Sequence, residues 1–333
     1  MKQRGMTLIE MMVAAALTSA VVAIAMTVVT TGINLARNQE QRVASNTAAR
    51  TAMEYILRDL RLVGVPEGIW MTSAGGPPFR IVPAFSSAGA NGTDELWLVV
   101  PRATMLQSNC TTLGSSAVLT APGTGSLSIN CAAPLAGSSQ LLITNLRSAA
   151  LVSGVTFPSS TAVTYAEQGV AGFSNSPEKG GFQRGDLVAS VEIVHYYVRP
   201  NPVTNRPELV RSLGAVSPNP TSTAPFVDPG TQGQVFEDVE DLQVAFGRGL
   251  APALSFTSAH NADFKTQGTT PPISVRVNVV GVTPRRVVDQ NNNMLPYAPV
   301  TVEDHAPAAT VDGFRRSVYR RRVELVNQGV DFL

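Results

Sequence analysis

The sequence predicts an α+β fold, in which a long N-terminal helix packs on an antiparallel β-sheet head with long loops. Three observations support this prediction. The run from Met11 to Ala36 carries no formal charge, a helical pattern continues from there to Val63, and apolar residues alternate in later segments. The 27 glycines and 23 prolines, with only 15% charged residues, favour strands joined by long turns over a helical enzyme.

The uncharged run is long enough to cross a membrane. Met11–Ala36 would form a helix of about 39 Å, and the hydrocarbon layer is about 30 Å thick. A short basic leader with Lys2 and Arg4 precedes it and ends at Gly5. The apolar run is too long for a secretory signal peptide, and no A-x-A-like cleavage site closes it.

Glu10 is the anomaly in this segment. A carboxylate near lipid costs roughly 2.5–3.5 kcal/mol on insertion scales unless another group pairs with it. A plain membrane anchor therefore explains the length of the helix but not the acid. Glu10 predicts a partner of opposite charge.

Gly5, followed by Met6-Thr7-Leu8-Ile9-Glu10 and an apolar helix, resembles the class III signal of type IV prepilins and type II secretion pseudopilins. The resemblance implies that a prepilin peptidase cuts after Gly5 and methylates the new terminus at Met6. It also implies that Glu10 neutralises the terminal amine of a neighbouring subunit. The family usually has Phe at the first position, so Met6 is a mild departure. The alternative is a simple anchor with a chance glutamate.

The helix is expected to continue beyond the membrane with one face on the head. Small and apolar residues recur at helical spacing, and Arg50, Glu54 and Arg58 form an i, i+4 ladder on another face. Gly64 and Pro66 are expected to end the helix. The apolar face comprises Ala49, Met53, Ile56, Leu60 and Val63. The predicted organisation is a leader at 1–5, a transmembrane and filament-core helix at 6–36, an amphipathic helix at 37–64 and a β-rich periplasmic head at 65–333.

Several segments of the head read as strands. Glu95–Val100 is the first convincing one, and the stretch from Asp186 to Val198 is expected to be a central strand with Pro207–Leu213 as its hairpin partner. Phe236–Phe246 has an acidic first turn and a strand-like end, and Ile273–Val282 alternates as a strand buried on one side. Further strands are predicted at Ser126–Ile129, Leu141–Thr144, Ala162–Tyr165 and Val318–Val326, and Gly169–Gly185 is predicted to be a loop.

Cys110 and Cys131 are expected to form a disulfide. They lie 21 positions apart in Ser108–Ser139, a low-charge segment with few large apolar side chains. In an exported head such a bond is favoured, and on the chain-entropy model it contributes about 3 kcal/mol. The segment is interpreted as a surface loop that the disulfide holds in place and that has little core of its own. The histidines are far away in sequence, so no metal site is expected.

The remaining motifs point to no chemistry. Five arginines in Arg315–Arg322 suggest a phosphate-binding patch, but strand alternation and a net charge of +1 argue against nucleic-acid binding. Asp289–Asn293 has the spacing of the start of a calcium loop but lacks the later glycine and glutamate, which favours a hairpin tip. No G-x-S-x-G, H-E-x-x-H or phosphate loop is present, so neither an enzyme nor a cofactor is expected.

Three segments narrow the resemblance to PilW-type minor pilins: TAMEYILRDLRLVG after the membrane helix, VEDLQVAFG, and RRRVELVN near the end. The resemblance implies a minor pilin that helps start type IV pilus growth from a priming or tip complex, in support of motility, adhesion or DNA uptake. Its partners would be other minor pilins, the major pilin, prepilin peptidase and the inner-membrane assembly platform. Its location would be the inner membrane and then the pilus. Alternatives are a type II secretion minor pseudopilin and a tip adhesin or DNA-binding module.

Overall fold

The computed structural model describes residues 7–63, 70–72, 78–80, 84–101, 110–113, 125–135, 137–144, 149–165, 167–168, 184–216, 226–228, 233–248, 255–257, 274–289, 293–306 and 311–324. It has the predicted α+β fold, with a long N-terminal helix on antiparallel sheets. The predicted loop Gly169–Gly185 lies almost wholly outside the described residues, as do Gly64 and Pro66.

Helix α1 runs without interruption from Leu8 to Leu62. Thr7 caps its N-terminus, and at the other end the extended conformation of Val63 ends the helix. A second helix, α2 (Ala132–Leu135), is a single turn. The strands are β1 (Trp70–Thr72), β2 (Pro78–Arg80), β3 (Ala84–Ala88), β4 (Asp94–Pro101), β5 (Gly125–Ser128), β6 (Gln140–Thr144), β7 (Ala149–Ser153), β8 (Thr156–Ser159), β9 (Ala162–Tyr165), β10 (Glu167–Gln168), β11 (Leu187–Pro200), β12 (Pro207–Val216), β13 (Phe226–Val227), β14 (Gln234–Glu237), β15 (Val239–Arg248), β16 (Ser255–Thr257), β17 (Ser274–Val282) and β18 (Arg316–Glu324).

The long strand β11 organises the larger sheet. Its second half pairs with β4 and with β12, which confirms the predicted central hairpin. Its first four residues pair instead with β6, which leads on to β7 and β10. Strands β3, β13 and β14 extend the sheet at β4 and β12. β11 therefore belongs to two regions of the head, because different partners pair with its two halves.

A second sheet of order β16-β15-β17-β18 completes the main core. The second half of α1 packs against both sheets, and its apolar face is buried as the helical spacing predicts. Each large apolar side chain removed from water in this way contributes about 1.5–3 kcal/mol. The buried residues of the face are Ala49, Ala52, Met53, Ile56, Leu60 and Val63.

The segment that carries the disulfide contributes buried residues to a hydrophobic core. Leu127, Ile129 and Leu135 are buried in a second apolar cluster together with Cys110. The interpretation of this segment was incomplete because its few apolar residues pack against strands later in the chain, mainly β6, β7 and β9. We call the described residues between 110 and 190 the lobe.

Three strand predictions need correction. β1, β2 and β3 precede Glu95–Val100, so the β structure of the head begins earlier than predicted. The acidic part of Phe236–Phe246 is strand rather than a helical turn, broken at Asp238, whose φ is 62°. β17 is buried on both faces, because Asn278 on its polar face bonds to Glu303 from a covering loop.

Candidate assembly site on the N-terminal helix

Glu10 lies in the first turn of α1 and forms a capping box with Thr7. Its Oε2 accepts hydrogen bonds from the Thr7 backbone N–H at 2.9 Å and from the Thr7 hydroxyl at 3.0 Å. In return, the Glu10 N–H donates to Thr7 Oγ1 at 3.3 Å. These bonds satisfy backbone donors that the helix leaves unpaired and hold the carboxylate at the helix terminus. Gly5 and Met6, the predicted cleavage and methylation positions, lie outside the described residues.

The first half of α1 is suited to an apolar surrounding. Its large apolar side chains from Leu8 to Leu35 are exposed on the head-free part of the helix, and the segment is long and apolar enough to cross a membrane. Three of the polar residues within it are satisfied locally, since Thr18, Thr27 and Thr30 donate their hydroxyls to carbonyls one turn back. Such bonds remove the cost of placing hydroxyls in lipid.

Asp59 anchors the other end of the helix. It is 4% exposed and its Oδ2 accepts hydrogen bonds from the Tyr196 hydroxyl at 2.6 Å and from Arg211 Nε at 2.7 Å. Burial and the adjacent carboxylate raise the pKa of the Tyr196 hydroxyl. Burial opposes the charge of Arg211, but its hydrogen bond to Asp59 raises the net pKa of the guanidinium. The Arg211 guanidinium is therefore held charged, and the bonds from Arg211 and Tyr196 to Asp59 join α1 to β12 and β11.

Sequence reasoning missed this anchor. Of the predicted surface ladder, the Arg50–Glu54 pair is present, with Arg50 Nε 3.0 Å from Glu54 Oε1 on the exposed face. Asp59, however, is on the buried stripe with Ile56 and Leu60. An acid in register with an apolar stripe was the available signal, because such an acid needs a buried partner.

The helix also approaches the second sheet closely. A Cβ on Gly281 would lie 2.6 Å from the Ser45 carbonyl oxygen and 2.8 Å from the Ala49 Cβ. Further along the helix toward the membrane, the Asn38 side chain donates to the Val288 carbonyl at 3.2 Å. Together with the bonds of Asp59, these contacts hold the helix against the head at three positions along its length.

The predicted disulfide between Cys110 and Cys131 is present, with the Cα atoms 5.4 Å apart. Cys110 is 1% exposed and belongs to the core of the lobe. The bond therefore ties the start of the lobe to the segment that enters α2.

Among the arginines of β18, Arg316 is engaged with acids, whereas Arg320, Arg321 and Arg322 are exposed. Arg316 binds Glu240 and Asp312 through two nitrogens each, and Arg320 donates to Asn278. Nearby, Arg276 makes a two-nitrogen contact with Glu303. These contacts place Arg316, Arg320 and Arg276 in a structural network of the second sheet.

The Asp289–Asn293 turn is the predicted hairpin tip. Val288 and Met294 form a β-bridge across it, and the Asp289 carboxylate accepts hydrogen bonds from the backbone and the side chain of Asn293. Among the described parts of the chain, no group of three or more potential metal ligands is found.

His195 is a buried feature that the sequence did not single out. It is 5% exposed, and its ring stacks on Trp97 at a centroid distance of 3.6 Å. Its two nitrogens lie 3.2 Å from carboxylate oxygens of Glu95 and Asp228. Because none of the described residues brings a nucleophilic side chain to the imidazole, this cluster is best interpreted as a polar bridge from β11 to β4 and to Asp228, which follows β13.

A membrane-length N-terminal helix with an acid in its first turn, anchored across antiparallel sheets, defines a pilin-like protein. Comparison with known families agrees. Residues 1–26 match the prokaryotic N-terminal methylation motif, and residues 195–327 match the family model described as Type IV Pilus-assembly protein W.

These two matches support a type IV pilus minor pilin, associated with the membrane and the pilus. Two of the three narrowing segments, VEDLQVAFG and RRRVELVN, lie within the second match. Residues 27–194, with most of α1 and the lobe, lie outside both. The families matched are structural pilus components rather than enzymes. No curated protein and no solved structure matches the chain significantly.

Proposed function

We propose that this chain is a minor pilin that helps initiate type IV pilus assembly and sits in the priming or tip complex. The observation that supports this proposal is that the two halves of α1 have different surroundings. The first half exposes its apolar side chains, whereas the second half buries one face against the head and is anchored there by Asp59. Such a helix can be withdrawn from the membrane into a filament without unfolding the head.

The N-terminal site has a specific role in this proposal. Prepilin peptidase cuts after Gly5 and methylates Met6, which creates a terminal ammonium two residues before Leu8, where α1 begins. The Glu10 carboxylate of a neighbouring subunit then pairs with that ammonium. In a low-dielectric filament core this pairing removes the cost of two isolated charges, so it selects correctly docked subunits.

The geometry of the Glu10 carboxylate is compatible with this pairing to a terminal ammonium. The capping box uses Oε2, and Oε1 accepts no hydrogen bond from the described residues. Thr7 therefore orients the carboxylate while one oxygen stays open to a cation.

The proposed partners are other minor pilins, the major pilin, prepilin peptidase and the inner-membrane assembly platform. The chain would cross the inner membrane once, with its head in the periplasm, before it joins the pilus. The match of residues 195–327 to a pilus assembly family favours a pilus over a type II secretion filament. The pairing of Arg316 with Glu240 and Asp312 does not favour the use of this residue in a DNA-binding module.

The processing step is tested by mass spectrometry of the protein purified from its own host. We expect an N-terminus at a methylated Met6, and we expect Gly5→Val to retain the leader because the peptidase needs a residue without a side chain before the cut. Gly32→Val serves as a control, since nothing lies within 4 Å of a Cβ at that position. A wild-type chain that starts elsewhere would exclude the proposed processing.

A further inference from the structure

A cavity of about 800 Å³ lies at the end of strand β11, and the function proposed above does not use it. Its walls are the strand end at residues 198–200, the turn at residues 90–93 and the loop around residue 305. The volume falls within the range of small-molecule sites, which is about 300–1,000 Å³. The chemistry of the lining therefore decides which class of molecule fits.

One wall of the cavity is a strand edge that no described strand covers. β4 pairs with β11 only as far as Tyr196, which lies opposite Leu96, whereas β12 follows the other side of β11 to Pro200. The turn that leads into β4 lines the cavity on the uncovered side. Consecutive strand residues direct their N–H and C=O groups to opposite sides, so either Val198 or Arg199 presents a donor and an acceptor there.

His305 presents a fixed acceptor from the opposite loop. Its Nδ1 lies 2.8 Å from Asp241 Oδ2, and a carboxylate accepts hydrogen bonds, so Nδ1 carries the hydrogen and Nε2 keeps its lone pair when the ring is neutral. Nε2 lies 2.9 Å from the position that a Cβ on Gly92 would take, and both residues line the cavity. Among the described residues, Nε2 has no hydrogen-bond partner.

Two amide side chains in the lining can both donate and accept. Asn91 and Asn205 have left-handed backbones, with φ of 57° and 53°, a conformation that asparagine adopts more readily than most residues. In the part of the chain that the structure describes, neither amide group bonds to another residue. Both amides are therefore available to a ligand.

The charged residues of the lining have both signs and are already paired. Arg199 Nε donates to Glu208 at 2.8 Å, and both oxygens of Glu240 accept from Arg316, at 2.6 and 2.8 Å. A cation would face Arg199 and an anion would face Glu240, so a neutral ligand fits best. Both groups can still form hydrogen bonds, because 40% of the Arg199 side chain is exposed and a carboxylate has about four acceptor positions.

We propose that this cavity binds a neutral polyhydroxyl ligand, a sugar residue of a glycan. A hydroxyl group is both a donor and an acceptor, so the hydroxyls of one sugar ring can donate to His305 Nε2 and accept from the amides and Arg199. The C–H groups of the ring can contact Val198, Pro200 and Pro207. Carbohydrate binding would be a second activity of the head, and it does not depend on the proposed role in pilus assembly.

The experiment is a saturation-transfer-difference NMR titration of the full chain, held in a zwitterionic detergent that has no sugar headgroup. The probes are methyl α-mannopyranoside, methyl β-galactopyranoside and methyl N-acetyl-β-glucosaminide. We expect saturation transfer to at least one of them and none to its fully O-methylated form, which cannot donate a hydrogen bond to His305 Nε2. N-acetyl-tetraalanine amide tests the alternative that the uncovered edge of β11 binds a peptide strand.

The variant Asn91→Gly with Asn205→Gly removes both amides and keeps the backbone, because glycine adopts a positive φ without strain. Its affinity for the bound glycoside should fall about tenfold, since two neutral hydrogen bonds are lost. Val203→Ala is the matched control, because Val203 lies on the same turn as Asn205, is 89% exposed and is not part of the lining. Ala306→Trp places a large ring in the cavity from an exposed position and should abolish binding.

No transfer to any of the three glycosides, equal transfer to the O-methylated form, or binding of the peptide instead would overturn the glycan site. Unchanged affinity in either the double asparagine variant or Ala306→Trp would show that the sugar binds elsewhere. These measurements use the purified chain, so a chain that binds sugar but never enters pili would contradict only the proposed function.

Discussion

Asp59 of the N-terminal helix accepts a hydrogen bond from Arg211 Nε at 2.7 Å, although the two residues are 152 positions apart in the chain. Asp59 is almost fully buried, and the same oxygen accepts from Tyr196. The contact joins the N-terminal helix to the central hairpin of the head. A pulling force on the helix during assembly would pass to the head through this anchor and the apolar face beside it.

Removal of the anchor should destabilise the head. Asp59→Ala leaves the Arg211 guanidinium half-buried without its acid, and breaking a buried pair in this way costs roughly 3–5 kcal/mol. Because Arg211 keeps some contact with water, we expect the lower end, about 3 kcal/mol, in the free energy of unfolding measured with urea. Glu54→Ala on the exposed face should cost about 0.5 kcal/mol or less. Equal losses of unfolding free energy in the two variants would contradict the role of Asp59 as an anchor.

Removal of the Tyr196 hydroxyl is a smaller change at the same site. Tyr196→Phe keeps the ring in the core and removes one hydrogen bond, for which we expect a loss of about 1–2 kcal/mol. The double variant with Asp59→Ala should lose less than the sum of the two single variants, because both remove the same contact. Strict additivity in a double-mutant cycle would show that the two groups are not coupled.

The pH dependence of stability should include a contribution from Asp94. Its pKa is raised to about 7 in the folded state from an ordinary value of 3.8, so the folded state binds more protons than the unfolded state between these values. The free energy of unfolding therefore falls as pH rises from about 4 to 7 and is then level with respect to this group. The full effect is roughly 4 kcal/mol.

Asp94→Asn should remove that slope and raise stability at pH 8. The measurement is urea unfolding of wild type and variant across pH 4–8, with Glu54→Gln as the charge-matched control. A variant that is equally sensitive to pH would mean that another group carries the dependence.

The disulfide should stabilise the lobe locally. Cys110→Ser with Cys131→Ser should make proteolysis between residues 109 and 132 faster, while the main sheets survive, because their core does not include either cysteine. On the chain-entropy model the loss is about 3 kcal/mol. Limited proteolysis followed by mass mapping checks this, and cleavage first in α1 or β11 would contradict a local role.

The close approach at Gly281 should not tolerate a side chain. Gly281→Ala would place a methyl group against the Ser45 carbonyl, and overpacking of this kind typically costs 1–3 kcal/mol. Gly32→Ala is the matched control, because its surroundings are open. A loss of stability in the first variant and none in the second, by thermal unfolding, is the expected pattern.

Local periodicity was sufficient to predict the main elements. Spacings of three and four residues identified the buried face from Ala49 to Val63, and alternation identified the hairpin of β11 and β12. The residues that join these elements were not predictable in the same way. Asp59 resembles a surface acid in sequence, and its partners are brought to it only by the tertiary fold.

The core of the lobe could not be predicted from local sequence either. Its first segment has too few apolar residues to suggest a core, and the missing partners, such as Val152 and Val163, come from later strands. For the N-terminal site, the Gly5–Glu10 pattern predicted the signal that the family comparison supports. The pairing of Glu10 with a neighbouring subunit remains a prediction, because it involves a second chain.

The amount of this protein in sheared pili, with Glu10→Ala compared against wild type, tests the central claim most directly. The control is Glu40→Ala, an exposed acid on the same helix beyond the uncharged run. We predict that Glu10→Ala is stable, processed and membrane-bound but is lost from pili, with reduced pilus number, while Glu40→Ala enters pili normally. Normal entry of Glu10→Ala into pili would contradict the account.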